Sequence, residues 1–457
     1  MDAPRGGGYV DPVIKPFESS LRGLFLALVR LFYPGVEVSG RGRVPLEGPV
    51  IAVANHPNGL LDPVLLRLGL GRPLAFLAKS TLFGNPLGRA AMRAFQAIPV
   101  YRAHEADTSK NEATFDLCRA LLADRGWLAL FPEGTSHSDP RLRPLKSGAA
   151  RIALSVEAAH GFGAGVRILP VGLTYENKGI FRSRVTVVVG EAFTLDAYAA
   201  DYARDERETA ATLTSRIARA LSEVVIEAET PEVQRALLAV AGWTSPDGGR
   251  DRTAAEGRAR RMAAAWRALV EREPAAAAAL TEDFRRYVRL VRTLGITDPL
   301  AWEAPTAPTP AKFAVSLASL VLTAPLALAG AAMAWLPYRL VRPLALRLAG
   351  EHTDLVGTFK LLLGLVILTA TYTAWAIVGG LLMGPPGAAG ALLLGPLTGL
   401  LALRLGERVD RRREVLRALW LRATRARVAA AVAERRKALA DRVDAALQAA
   451  EHAGPES

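Results

Sequence analysis

Between Lys360 and Arg404 the chain carries no Asp, Glu, Lys or Arg, and between Lys312 and Arg339 it carries none either. A membrane-spanning helix needs only about 20 predominantly apolar residues, so both tracts are long enough to require lipid around them. The second contains "GPPGAAG" at 384–390, a turn signal, and is expected to double back as two arms. That places Lys360 and Arg404 on one side of the bilayer, as the preference for basic flanks on the cytoplasmic side requires. The first tract has Lys312 before it, Arg339 and Arg342 after it, and Pro325 near its middle. A single span would put one basic flank on the far side, which favours a re-entrant hairpin broken at the proline over one plain span.

Charge reinforces the membrane reading. Of a net +13 over 457 residues, residues 404–437 hold twelve Arg or Lys against four Asp or Glu, a net +8, directly after an apolar tract. Basic clusters beside membrane segments bind anionic lipid headgroups at roughly 1 kcal/mol per residue. The alternative is a solvated basic helix with no ligand. RNA binding is not supported, because no aromatic residues are interleaved to stack bases. A single cysteine, Cys118, excludes a disulfide framework, and six scattered histidines give no zinc spacing. The N-terminal "MDAPRGGGYVDPVIKPFESS" lacks the apolar core and cleavage site of a secretory signal.

The remainder divides by texture. Residues 1–40 contain "SLRGLFLALVRLFYP", apolar with two arginines, too short to span and suited to lie in the membrane interface. Over 41–200 short β-rich runs ("VIAVA", "LAFLA", "AIPVY", "WLALF", "RILPVGL", "VTVVV") alternate with helix-like stretches. That pattern predicts an α/β unit with a mostly parallel sheet flanked by helices. Residues 201–305 read as a helical region ending in a Pro-rich linker, 306–405 as membrane segments and 406–457 as a basic helix. "GFGAG" at 161–165 precedes a strand instead of following one, and so reads as a flexible loop and not a dinucleotide fingerprint.

Two turns carry chemistry. In "NHPNGLLD", residues 55–62, His56 follows a predicted strand and Asp62 opens a helix-like stretch. Loops at the carboxyl ends of strands are where open α/β sheets place reactive groups, and an aspartate beside a histidine sets its tautomer and stabilises the imidazolium. No G-x-S-x-G elbow completes a triad, so such a base acts directly on a substrate hydroxyl. "FPEGTSHSDP", residues 131–140, ends another strand with Glu133 at its mouth; His137, within it, is a rival base. Lys146 precedes a helix start, a setting that favours anions. Lys79, Arg102, Lys178, Arg182 and Arg184 also end strands or turns, which together suggest a phosphate pocket. Arg182 and Arg184 alternate along a run that reads as extended and are expected to share one face.

The ordered set "NHPNGLLD", "IPVYR", "FPEGTSHSDP" with "PLKSG", and "ILPVGLTYENK" resembles the four motif blocks of the glycerol-phosphate and lysophosphatidate acyltransferase superfamily. It covers about a third of the chain. The resemblance implies His56 as general base with Asp62 as its partner, Arg102 on the acceptor phosphate, Glu133 and Gly134 shaping the acceptor site, and Pro170 bordering the acyl-donor side. It also implies acyl-CoA or acyl carrier protein as donor substrate, with no cofactor and no metal. One departure stands out: the family usually has four residues between the histidine and the aspartate, and here there are five. Gly59 supplies a backbone able to absorb the extra residue. This form, with "FPEG-x-SH" and "FRSR", is most similar to fungal-type glycerol-3-phosphate and dihydroxyacetone-phosphate acyltransferases.

The expected function is therefore acyl transfer from a thioester to a hydroxyl of glycerol 3-phosphate or dihydroxyacetone phosphate, by a protein whose catalytic domain lies on the cytoplasmic face of a membrane. Lysophosphatidate is the alternative acceptor. The expected partners are membrane lipids, the donor and the acceptor, with no nucleic acid. A reading from another class is a membrane scaffold that keeps the fold without the activity; retention of the His, Asp, Glu and Arg set argues against it.

Overall fold

The computed structural model describes residues 16–101, 111–245, 251–295 and 310–452. Its seven strands are β1 (Gly35–Ser39), β2 (Val50–Ala54), β3 (Ala75–Lys79), β4 (Ala97–Val100), β5 (Trp127–Leu130), β6 (Arg167–Tyr175) and β7 (Arg184–Val189). They form one sheet in the order β1-β7-β6-β2-β5-β3-β4. Every neighbouring pair is parallel except β6 and β7. A parallel sheet is covered on both faces, so its strands are apolar throughout and do not alternate. In β2 all five residues are buried, and Val53 lies beside Leu130 on one side and Pro170 on the other.

Helices supply the cover. Ile51, Val53, Leu128 and Leu130 pack in one core with Ile152 and Leu154 of α5 (Gly148–Ala159) and with Leu213, Ile217 and Leu221 of α7 (Glu206–Ser222). α2 (Leu61–Leu70) approaches β7 so closely that a β-carbon on Gly69 would fall 2.8 Å from the Val187 side chain. α1 (Pro16–Phe32) buries Val29 and Phe32, sets Phe25 edge-on to Phe95 and pairs Glu18 with Arg93 at 2.8 Å. Phe17, Leu24 and Leu31 remain exposed on it, an apolar strip of the kind that seats in a membrane interface.

The sheet starts earlier than residue 41, because "GVEVS" forms the edge strand β1. The structure separates into two units: Met1–Glu227 with Glu351–Thr358, which contains the sheet, and Ala228–Gly350 with Phe359–Ser457, which is helical. Within the second, α8 (Pro231–Trp243), α9 (Arg252–Arg272) and α10 (Pro274–Thr293) pack on one another and on α14 (Ala426–His452).

Among the described residues, three helical stretches are long and apolar enough to cross a membrane: Ala318–Ala349, Val356–Met383 and Pro385–Asp410. The second tract folds back as expected, with Gly384 at φ +66° between α12 (Val356–Met383) and α13 (Pro385–Thr424). The first does not. It is one continuous helix, α11 (Pro310–Ala349), which runs through Pro325, Pro337 and Pro343 without a break. A proline removes one backbone hydrogen bond, and apolar helices absorb that loss by local adjustment, so Pro325 alone does not make a hairpin.

Candidate active site

β2 ends where the side chain of Asn55 takes over its pairing. Asn55 Nδ2 donates to the Leu173 carbonyl at 3.0 Å, and its Oδ1 accepts from Leu173 N–H at 2.7 Å. The side-chain amide thus stands in for a peptide group, and the main chain is free to turn away from the sheet at His56. Gly59, at φ +34°, takes up the extra residue of the turn. Leu61 and Asp62 N–H both donate to the Asn58 carbonyl, which starts α2 with Asp62 in its first turn.

The consequence is a close pair: His56 Nδ1 lies 2.8 Å from Asp62 Oδ2. Asp62 is 0% exposed. A buried carboxylate is costly unless it is hydrogen-bonded, and this one also accepts from Asn58 N–H at 2.7 Å and from the Tyr175 hydroxyl. Burial first, and then the Asp62 charge, hold the Tyr175 phenol far above its ordinary pKa, so it stays a neutral donor. With Nδ1–H donated to Asp62, Nε2 is the ring nitrogen available to receive a proton. The His56 ring stacks on Phe131 at 4.0 Å, which fixes its plane.

The second turn braces the first. Glu133 is buried, and its Oε1 accepts from His56 N–H at 3.0 Å. Its Oε2 accepts from Arg143 N–H at 2.9 Å and pairs with His137 Nε2. His137 N–H in turn donates to the His56 carbonyl at 3.0 Å. His137 is therefore a buried partner of Glu133, while His56 keeps partial exposure. Gly134 has φ +74°, and the Lys146 side chain lies over it, 2.6 Å from where a β-carbon would sit. Glycine takes that conformation without strain and leaves room for the lysine to lie across it.

The remaining basic residues are distributed more widely. Lys79 closes β3 at the same sheet end as the two turns. Arg102 lies outside the described residues. Arg184 opens β7, and its side chain covers Gly35 of the edge strand. Arg182 does not share a strand face with it. The segment before β7 is a turn in which Arg182 takes φ +65° and donates its N–H to the Phe32 carbonyl at 2.7 Å. The edge-to-face contact of Phe181 with Phe32, 5.4 Å between centroids, anchors that turn to the end of α1. Pro170 sits inside β6, where its carbonyl accepts from Gly190 N–H at 2.9 Å. Among the described residues no cluster of His, Cys, Asp and Glu is arranged to hold a metal.

Tyr33 gave little signal in the sequence, whereas Lys178 stood among the expected phosphate-pocket cations. Tyr33 accepts from Asn58 Nδ2 at 2.9 Å and donates to the Lys178 carbonyl. Lys178 Nζ donates to the Pro57 carbonyl at 2.9 Å and to Ser138 Oγ at 2.6 Å. Burial draws the Lys178 ammonium below the usual lysine range, and the charges of Asp62 and Asp354 oppose that shift.

Residues 35–174 match the Acyltransferase family. An uncharacterized acyltransferase of Schizosaccharomyces pombe is 27% identical over 44% of this chain and 43% of its own length. Glycerol-3-phosphate O-acyltransferase 2 of Saccharomyces cerevisiae is 36% identical over 26% of this chain and 16% of its own. The chloroplastic 1-acyl-sn-glycerol-3-phosphate acyltransferase LPAT1 of Arabidopsis thaliana is 27% identical over 36% of this chain and 42% of its own. The chain thus spans less than half the length of these relatives. The matched stretch is an acyltransferase-family domain, and its relatives include both glycerol-3-phosphate and 1-acyl-glycerol-3-phosphate acyltransferases.

Proposed function

We propose that this protein transfers a fatty acyl group from a thioester to a hydroxyl of glycerol 3-phosphate or dihydroxyacetone phosphate, with His56 as general base. The observation that carries the reading is the 2.8 Å His56–Asp62 pair at the carboxyl end of a parallel sheet. Held by Asp62, the imidazole accepts the acceptor's hydroxyl proton at Nε2 as the oxygen attacks the thioester carbonyl, and then gives that proton to the departing thiolate. The new ester bond forms as the C–S bond breaks. A thioester is reactive enough for this route to need neither a metal nor a covalent enzyme intermediate. Acyl-CoA or acyl carrier protein is the donor. The apolar helices are suited to anchor the protein, and the basic segment after Arg404 supports a cytoplasmic placement of the site; modification of a cysteine introduced near 430 only from the luminal or external side contradicts that placement.

The "FRSR" and "FPEG-x-SH" stretches favour a small phosphate acceptor, and the match to the yeast glycerol-3-phosphate enzyme supports this. A dianion without an acyl tail must be held mainly by charged groups, with Arg102, Arg182, Arg184, Lys79 and Lys146 as candidates. Lysophosphatidate is the second reading, favoured by the plant relative. A panel of acceptors with purified full-length protein in detergent separates them. We expect the small phosphates to be preferred and Arg182→Ala to raise acceptor KM by roughly 10-fold or more, since a hydrogen bond to a charged group contributes about 1.5–3 kcal/mol. Tenfold preference for lysophosphatidate with an unchanged Arg182→Ala KM contradicts the acceptor assignment.

A further inference from the structure

In the chain, residues 351–358 are the link between two long apolar helices together with the first turn of the second, α12. In the structure they belong to the unit that contains the sheet. Asp354 is only 7% exposed, and its Oδ2 accepts from Ser136 Oγ at 2.5 Å. Next to it, the Thr353 hydroxyl pairs with that of Ser138, which also receives Lys178 Nζ, and Lys178 in turn holds the carbonyl of Pro57. The link therefore touches both turns of the candidate site: "FPEGTSHS" directly and the residue after His56 through one lysine.

Shape supports a built contact. A β-carbon on Gly59 would fall 2.5 Å from Leu355 Cδ2, and one on Gly357 would fall 2.9 Å from the Lys178 carbonyl and 3.0 Å from Asn58 Oδ1. Glycine thus stands on each side of the contact: a larger residue at 357 would meet the Lys178 backbone, and one at 59 would force the Leu355 side chain to shift. Incidental proximity does not need a bare backbone on both surfaces. A buried carboxylate at the centre points the same way, because it is tolerated only where its hydrogen bonds are made.

We propose that the 351–358 link is a component of the acyl-transfer site, with Asp354 as a positioning residue that holds Ser136, and through the adjoining Thr353–Ser138–Lys178 chain the His56 turn, in working geometry. The inference rests on the acyl-transfer reading above. It joins the apolar helices to the chemistry: the covalent ends of the link run directly into α11 and α12. Asp354 touches no reacting atom; its effect is exerted on the placement of the two turns.

The test uses the full-length protein in detergent or bilayer discs, with Asp354→Ala, Asp354→Asn and Ser136→Ala beside wild type. Misplacing a reacting group by about 1 Å costs on the order of 100-fold. We therefore expect Asp354→Ala to lower kcat by at least about tenfold with donor KM nearly unchanged. Asparagine still accepts from Ser136 and should recover part of the rate. Hydrogen exchange should rise in 55–62 and 132–138 of Asp354→Ala and stay unchanged in β2, β5 and β6, which separates displaced turns from general unfolding. A kcat within twofold of wild type, or exchange unaltered in both turns, overturns the proposal. If wild type transfers no acyl group to any acceptor, the reading it rests on fails, and unaltered exchange would then remove the docking claim as well.

Discussion

The two regions of this molecule use the same apolar residues against different surroundings. Ile51 and Val53 of β2 are fully buried among protein side chains, whereas Val366 and Ile377 of α12 are mostly exposed. In the sheet unit, apolar packing serves to hold a small buried polar set: Asp62, Glu133, Asn55, Asn58 and their partners. In the helical unit the exposed apolar faces are suited to lipid, and their length, not their packing, is what the sequence specifies. On the proposed function, the first region depends on a few irreplaceable contacts and the second on a sum over many interchangeable ones.

That contrast can be broken most forcefully at His56. General-base assistance contributes about 10²- to 10⁴-fold, so His56→Ala should lose that much kcat while remaining folded and membrane-bound. Asp62→Asn should follow closely, because the hydrogen bond that sets the imidazole tautomer is lost. Residual activity of His56→Ala within about threefold of wild type would sink the mechanism. The next effect is on stability. Ile51→Ala removes a fully buried side chain from a packed core, which costs about 2–5 kcal/mol, read as a lowered unfolding midpoint of the sheet unit. The smallest effect belongs to the helices. Val366→Ala should change membrane retention and activity little, whereas Val366→Arg should weaken insertion, at about 2.5–3.5 kcal/mol for a charge near a span's centre. A Val366→Ala loss as large as that of Ile51→Ala would show that α12 is a packed core helix and not a lipid-facing one.

Six of the seven strands were legible because short β-branched and apolar runs bounded by turn residues leave little choice. β1 was hidden: "GVEVS" is brief, carries Glu37, and directly follows an amphipathic stretch that drew the boundary past it. The His56–Asp62 pair survived its unusual spacing because a glycine stood where the chain had to bend. Arg182 and Arg184 were misread because alternation assumes extended backbone, and Arg182 adopts a left-handed turn instead. The continuity of α11 was misread because the basic residues at both of its ends were given a hairpin's weight, with Pro325 as the break. What no local pattern could reveal were contacts closed over long separations: Tyr175 reaches Asp62 across 113 residues and Asp354 reaches Ser136 across 218. Such contacts are set by the path of the whole chain, and no window of neighbouring residues records them.

The most direct test of the central claim is release of free thiol from a long-chain acyl thioester by the purified full-length protein, measured with and without added glycerol phosphate acceptor. An acyltransferase working through His56 as described releases thiol in proportion to acceptor and forms an acylated phosphate in equal amount. Thiol release that is absent with every acceptor, or that proceeds equally without one, contradicts the account; the first outcome would leave a protein that keeps this sheet and its turns for a purpose other than acyl transfer.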